Sequence, residues 1–429
     1  MQLRSELFRA GPRTLDPTCL TLDNGLRFLL IENHFIPSVS FNMTFLAGSR
    51  YETEGLAGLA AMVSRLLEEG TTNRSSLDIA QAIESVGGAI GCEGAYERVS
   101  VFLSVLSKDL ELGLELVADI VMNPLFAKES LDRQRERVLA EIESAKDRPQ
   151  VIAGWKFDEL VYGTHPLHRP ACGYSDTVSN ISVADLNEYH HRFFIPNNAI
   201  VSIVGDFVTD EIAEKLQGLF SGWSGGELKS PELQPAARQS EVRRETIRMP
   251  TQQAHVCFGH LGIDRSNSDF YALQVLDTIF GGGAGLTARI PHKLRDEQGL
   301  AYTTFANITK SAGMDPGRFL AYIATAAINV DRAIMGFVEE VERIRREPVT
   351  QQELEDAKAF LTGSFVFDFE TSAQIGRFLV NAEIYELGFD YPEKYPAYID
   401  AVSIEDITRV AMKYLSTTDY TLVVVGPEH

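Results

Sequence analysis

The sequence predicts an α+β fold built twice, as two homologous α/β-sandwich domains in one bilobed chain. Three observations lead there. At 429 residues the chain exceeds what one ordinary hydrophobic core organises, so two domains are expected. Residues 182–207, "SVADLNEYHHRFFIPNNAIVSIVGDF", are echoed at 403–428 by "SIEDITRVAMKYLSTTDYTLVVVGPE". Ser182, Asp185 and Gly205 recur as Ser403, Asp406 and Gly426 at one offset of 221 with no gap, as a duplicated unit requires. Between the copies, "SGWSGGELKSPELQPAARQS" (221–240) is rich in Gly, Ser and Pro and holds no sustained period, which marks a linker. The expected division is therefore 1–220, a linker at 221–240, and 241–429.

The elements follow in chain order. "SVSFNMTF" (38–45) alternates Val39, Phe41, Met43 and Phe45 with polar neighbours, the pattern of a half-buried strand. "SSLDIAQAIESVGG" (75–88) opens on a capping serine and stops at a glycine pair, so it reads as a helix. "RVSVFLSVL" (98–106) is strand again, and "ESLDRQRERVLAEIESAK" (129–146) is a long charged helix. Each copy of the repeat is a serine-started amphipathic helix, a polar break and a buried apolar strand closed by glycine. Strand pairs followed by helix pairs point to a sandwich per half and away from a doubly wound parallel sheet.

Composition excludes several functions. A net charge of −21 is unsuited to nucleic acid, whose phosphates need a basic face; it reads first as a well-solvated acidic surface, with steering of a basic partner or basic peptides as the alternative. No apolar run reaches the length of a membrane span, and "MQLRSELFRAGPRTLDP" lacks the layout of a signal peptide. The expected compartment is the cytoplasm, or the periplasm had a leader been removed. Cys19, Cys92, Cys172 and Cys257 are far apart with no C-x-x-C pair, so free thiols are expected, with neither a zinc knuckle nor a disulfide framework. His190–His191 and His165-x-x-His168 are the close histidine pairs. Helical neighbours point about 100° apart, and the second pair has no carboxylate or cysteine beside it, so both read as ordinary polar residues.

The stretch "GLAAMVSRLLEEGT" (58–71) follows Gly48, Ser49, Arg50 and Glu52. This order resembles the pitrilysin/insulinase family of inverted zincins, whose H-x-x-E-H helix follows a G-S-R-x-E turn and ends in G-T. The resemblance runs from "LDNGLRFLLIEN" (22–33) through "FIPNNAIVSIVGDF" (194–207) to "LVVVGP" (422–427). It places the two histidine positions at Ala61 and Arg65, the glutamate at Ser64 and the third ligand at Glu141. Positions four apart share a helix face, which is why such a motif can bind metal. Here alanine has no donor atom, arginine is a permanent cation without a lone pair, and a serine hydroxyl is too weak a base to activate water. One carboxylate does not hold zinc alone, so pairing of Glu141 with Arg65 is the expected replacement.

Residues 280–302, "FGGGAGLTARIPHKLRDEQGLAY", carry a glycine run without the Lys-Ser/Thr of a phosphate loop. Arg295 and Tyr302 stand seven apart around "DEQGLA" and resemble the arginine–tyrosine pair of the same family. If Arg295 ends a helix and Gly299 turns the chain, Tyr302 enters a strand with both side chains near one spot. The tyrosine hydroxyl can then donate to a tetrahedral oxyanion, and the arginine can hold a carbonyl or carboxylate. The resemblance implies a non-catalytic subunit of a heterodimeric zinc metallopeptidase, inert alone, with no cofactor of its own. Zinc is then expected in a catalytic partner of the same family, and the substrate is a peptide held as an added strand on that partner's sheet edge. Gly281, Gly282, Gly283 and Gly285 would contact that peptide. The alternative is a structural core protein of the same fold without a catalytic role.

Overall fold

The computed structural model describes residues 14–228, 233–282 and 288–428. It contains two mixed sheets. The first holds β1 (Thr18–Thr21), β2 (Arg27–Glu32), β3 (Ser38–Phe45), β4 (Ala89–Gly94), β5 (Val99–Leu106) and β6 (Ala199–Gly205), in spatial order β1-β2-β6-β3-β5-β4. The second holds β7 (Arg243–Arg248), β8 (Gln253–Leu261), β9 (Thr304–Asn307), β10 (Arg318–Ala326) and β11 (Thr421–Gly426), in order β7-β11-β8-β10-β9. With β1 set aside the two orders are the same. In each, the last strand of the half inserts beside the first, parallel to it (β2 with β6, β7 with β11), and every other pairing is antiparallel.

The duplicated ending is legible in atomic detail. Ser182 and Ser403 each accept from the backbone N–H three residues on, while Asp185 and Asp406 take the serine N–H in return. These matched capping boxes start helices Val183–Phe193 and Ile404–Tyr414. Each following strand ends in a glycine because a neighbouring strand passes too close for a side chain. A Cβ on Gly205 would stand 2.2 Å from the Ser38 carbonyl oxygen, and one on Gly426 would stand 2.6 Å from Ala254 Cα.

Two compact units result, and they are not simply the two halves of the sequence. One is drawn from Met1–Ile142, Pro170–Glu232 and Phe367–Pro392; the other from Glu143–Arg169, Leu233–Val366 and Glu393–His429. In the first unit, one face of the sheet packs Phe28, Phe41, Met43 and Phe45 against the helices that follow it in sequence. The other face takes helix Ser372–Ile384, whose Leu379 meets Leu29 and Val204. In the second unit the corresponding place is filled by helix Pro149–Tyr162, whose Ala153, Phe157 and Val161 pack on Cys257, Val423 and Val425. The expected linker at 221–240 is one crossing among several, and residues 229–232 of it lie outside the described ones.

The exchange also explains one departure from the strand reading. The polar side of β3 was expected to face water, yet Asn42 and Thr44 are buried. Helix Ser372–Ile384 packs on β3, and Thr44 Oγ1 lies 2.9 Å from Ser100 Oγ, so the polar atoms are satisfied across the strands. The remaining expectations hold: helix Ser76–Ser85 carries a Ser75 capping box, and helix Lys128–Lys146 and β5 fall where the patterns placed them.

In the second unit, Asp269 ties two helices together. It precedes helix Phe270–Asp277 and accepts from Arg409 (2.7 Å), Lys413 (2.8 Å) and Tyr414 (2.8 Å) on helix Ile404–Tyr414. Burial opposes its ionisation, but the donors from Lys413, Tyr414 and Arg409 prevail and hold the carboxyl at about 2.

Two tests of the fold follow from these contacts. Gly205→Ala meets both the Ser38 oxygen and a φ of +148°, and should cost about 3 kcal/mol or more in urea unfolding. Gly218→Ala, on a helix with open space at its Cβ, should be neutral or slightly stabilising in the same assay. Asp269 has a depressed pKa, so its contribution is present above the ordinary value of 3.8 and lost as pH falls through about 2. Asp269→Asn should therefore lower stability by about 2 kcal/mol near neutrality, with the difference from the parent vanishing across that acid window.

Candidate functional site

Helix Leu59–Leu66 carries three of the four expected metal-motif positions, and the turn before it holds it in place. Gly48 is required because an added Cβ would lie 2.1 Å from the Tyr96 carbonyl oxygen. The Tyr189 hydroxyl donates to the carbonyls of Ala47 (2.5 Å) and Gly48 (3.1 Å). Glu52 is buried and its carboxylate accepts from the backbone N–H groups of Gly58 (2.9 Å) and Ala60 (2.6 Å). A carboxylate there satisfies orphan donors and complements the positive end of the helix. The sequence offered the turn but no role for Glu52; an acid shortly before a helix start was the available signal.

Ala61 and Arg65 are partly open positions on an otherwise buried helix, and they share a face. Ser64 is buried and its hydroxyl donates to the Ala61 carbonyl at 2.8 Å, bonding back onto its own helix. Arg65 makes the expected replacement pair. Its Nη1 and Nη2 donate to the two oxygens of Glu141 at 3.0 and 2.7 Å, a bidentate fork across 76 residues. The edge strand β4 passes beside this helix: a Cβ on Gly94 would sit 3.0 Å from both Ala61 Cα and Ser64 Oγ. Positions 61 and 65 share a face with Glu141 in reach, and the donor set of a metal site is absent. Ala61, Ser64 and Arg65 offer zinc no lone pair of use, and the cation at 65 neutralises the one carboxylate present. Among the described residues no three His, Cys, Asp or Glu side chains gather as metal ligands.

The histidines and cysteines sit as ordinary residues do. His190 is buried, stacked on Phe194 with ring centroids 4.8 Å apart, and pushed down to about 4 by that burial while bonded to the Val121 carbonyl. His191 Nδ1 lies 2.6 Å from the Asn187 carbonyl oxygen. His165 is buried with its Nδ1 accepting from Leu167 N–H. All four cysteines are free thiols, Cys257 buried and Cys19 exposed.

In the second unit the arginine–tyrosine segment follows the expected helix end and glycine turn, and its strand begins later than expected. Arg295 lies in the helical turn His292–Glu297, Gly299 adopts φ +62°, and the Gly299 and Leu300 N–H groups donate back to Arg295 (3.1 Å) and Leu294 (2.8 Å). That is a glycine-closed helix end. Tyr302 stands two residues before β9 rather than in it, and is 91% exposed. Arg295 Nε and Nη2 fork onto its neighbour Asp296 at 2.8 and 3.3 Å, and the tyrosine contributes to the electrostatics of the guanidinium.

The glycine run divides. Gly281 is buried against β9, where a Cβ would lie 2.4 Å from Ala306 N, so packing alone requires a glycine there. Gly282 is exposed; Gly283 and Gly285 lie outside the described residues. Just before the run, buried Asp277 accepts from Ile308 N–H and from the N–H and hydroxyl of Thr309, which fastens the end of β9. Burial lifts its carboxyl to about 6 against those hydrogen bonds. Nothing in the local sequence marked this residue.

Residues 27–173 match the model for insulinase, peptidase family M16, and residues 180–361 match that for the peptidase M16 inactive domain. A Mycobacterium leprae protein named "Uncharacterized zinc protease" is 30% identical over 413 residues, 95% of this chain and 91% of its own length. This chain belongs to peptidase family M16. A Bacillus subtilis M16 relative, also named a zinc protease, is 25% identical over 408 residues, 95% of this chain and 97% of its own. A solved Pseudomonas fluorescens structure, described as a peptidase M16 inactive domain, superposes with TM-score 0.89 at 25% identity, covering 97% of this chain and 99% of its own. A Helicobacter pylori protease superposes with TM-score 0.87 at 21% identity, covering 96% and 100%, and shares the fold. Among the described residues no helix is long and apolar enough to cross a membrane.

With Glu141 already in reach of position 65, placing ligating residue types at 61, 64 and 65 should create a metal site. The Ala61→His, Ser64→Glu, Arg65→His triple variant should retain stoichiometric zinc after dialysis, measured by atomic absorption. Adding Glu141→Gln to that variant should release it.

Proposed function

We propose that this M16 chain is the non-catalytic subunit of a heterodimeric zinc metallopeptidase, and that it presents Arg295 and Tyr302 to a peptide held by a zinc-bearing partner. The observation that carries this reading is the exposure of Tyr302 beside Arg295, at a glycine-closed helix end, in a chain whose own motif helix holds no metal donors. A tyrosine ring left 91% exposed is poorly explained by packing and well explained by a surface awaiting another molecule. Its hydroxyl would donate to the oxyanion that develops on the scissile carbonyl. Arg295, whose fork to Asp296 is exposed and therefore weakly held, would exchange that partner for a substrate carbonyl or carboxylate. The metal and the base would come from the partner chain.

The Asp296 fork is also the one observation that favours a purely structural role, because an arginine already paired needs no substrate. The two readings separate in one assay. The chain is mixed with a zinc-bearing M16 partner and peptide cleavage is followed, with assembly checked by size-exclusion chromatography. Tyr302→Phe should lower turnover on the order of 10²–10³-fold with the complex intact. Undiminished cleavage by the variant complex would leave only the scaffold role.

A further inference from the structure

Strand β10 turns Phe319, Ala321, Ile323 and Thr325 inward, and all four are buried. Three of them are apolar, as the core face of a strand requires. Thr325 closes the row at 1% exposure and is the polar member of it. Valine has the same branched shape and would fill the place without taking a hydroxyl out of water, so packing alone gives no reason for a threonine there. The hydroxyl has a defined use. Thr325 Oγ1 donates to the Leu300 carbonyl at 2.7 Å, in a buried hydrogen bond.

Leu300 is where the helix end and the strand entry of the arginine–tyrosine segment meet. Its side chain is 4% exposed, and its N–H donates to Leu294, so it belongs to the glycine-closed end that follows Arg295. The chain is next held at Thr303, whose carbonyl accepts from the Ala324 N–H at 3.2 Å. One residue on, the Thr304 hydroxyl donates to the Tyr322 carbonyl at 2.8 Å. Ala301 and Tyr302 bridge the span between these attachments. A ring as exposed as that of Tyr302 has no cavity wall to fix it, so the backbone on either side decides where its hydroxyl stands. The strand side is held by backbone pairing, and the helix side is fastened to β10 by the Thr325 hydroxyl. Without that donor the buried Leu300 carbonyl would face a methyl group and move to find another partner.

We infer that Thr325 is a positioning residue for Tyr302: by tying the Leu300 carbonyl to β10, it fixes where the Tyr302 hydroxyl meets the reacting peptide. This role rests on the proposed function of Tyr302 and deepens it. An oxyanion donor acts only at hydrogen-bond distance from the developing charge, and a misplacement of about 1 Å can cost on the order of 10²-fold in rate. Thr325 is buried and touches no peptide itself, so its loss is felt in turnover and not in peptide binding.

The test uses the complex with a zinc-bearing M16 partner, with assembly followed by size-exclusion chromatography and peptide cleavage measured at steady state. Thr325→Val should lower kcat by about 10-fold or more, with KM within about 2-fold of the parent value. Thr325→Ser keeps the donor and should hold kcat within about 3-fold of the parent. On a Tyr302→Phe background, Thr325→Val should cost less than about 2-fold more, because the hydroxyl to be placed is gone. Thr421 Oγ1 donates to Gln239 at 2.8 Å elsewhere in the same sheet, so Thr421→Val removes a comparable buried hydroxyl and should leave kcat unchanged. Thr325→Ala takes the place of Thr325→Val if the latter does not assemble. Parental kcat in Thr325→Val, equal losses in the Val and Ser variants, an undiminished loss on the Tyr302→Phe background, or the same loss in Thr421→Val would each overturn the positioning role. Poor cleavage with Tyr302→Phe beside full cleavage with Thr325→Val would remove that role alone and leave the proposed function standing, whereas full cleavage with Tyr302→Phe would remove both.

Discussion

Each half of the chain completes its sheet with its last strand, and that strand goes to the interior. β6 and β11 lie between two neighbours and are almost wholly buried along their length. A strand covered on both faces needs apolar cover from two layers, and the helices that follow a sheet in sequence supply only one. The second layer is met by exchange. Helix Pro149–Tyr162 packs on the sheet of the later strands, and helix Ser372–Ile384 on the sheet of the earlier ones. These helices occupy matching places in the duplicated order, so neither half has its full core without a segment of the other.

Helix Leu59–Leu66 is fastened at its start by Glu52, along its buried face by Met62, Val63 and Leu66, and beside β4 at Gly94. The approach beside Gly94 involves Ala61 and Ser64, and the other attachments lie on residues outside the expected motif. The Arg65–Glu141 fork compensates a carboxylate that would otherwise face its neighbours without a cation. The fork is largely exposed and contributes little to stability; its effect is to occupy the site.

The second unit fastens its elements by two buried carboxylates and one half-buried one. Asp277 fastens the end of β9, Asp269 joins two helices, and Glu353 both caps its helix and grips Arg289. Their ionisation differs because their surroundings do: Asp269 and Glu353 face cations and are held low, whereas Asp277 meets only N–H and hydroxyl donors and is lifted by burial. Glu340 is also buried and pairs with Arg343 at 3.6 Å through Oε1, while its Oε2 accepts no hydrogen bond.

Much of this was legible in the linear sequence, for one reason. Whether a side chain has a lone pair to give a metal is a property of the residue, so the lack of metal donors at Ala61, Ser64 and Arg65 needed no coordinates. The duplication, its capping serines and its closing glycines were likewise local patterns repeated at a fixed offset, and the turn at Gly299 followed from glycine's tolerance of positive φ. Tertiary structure decided what depends on neighbours remote in the chain. It exchanged the two covering helices, buried the polar side of β3 and assigned Gly281 to packing against Ala306. Each of these depends on which surfaces meet across many tens of residues, and no local period or propensity encodes that.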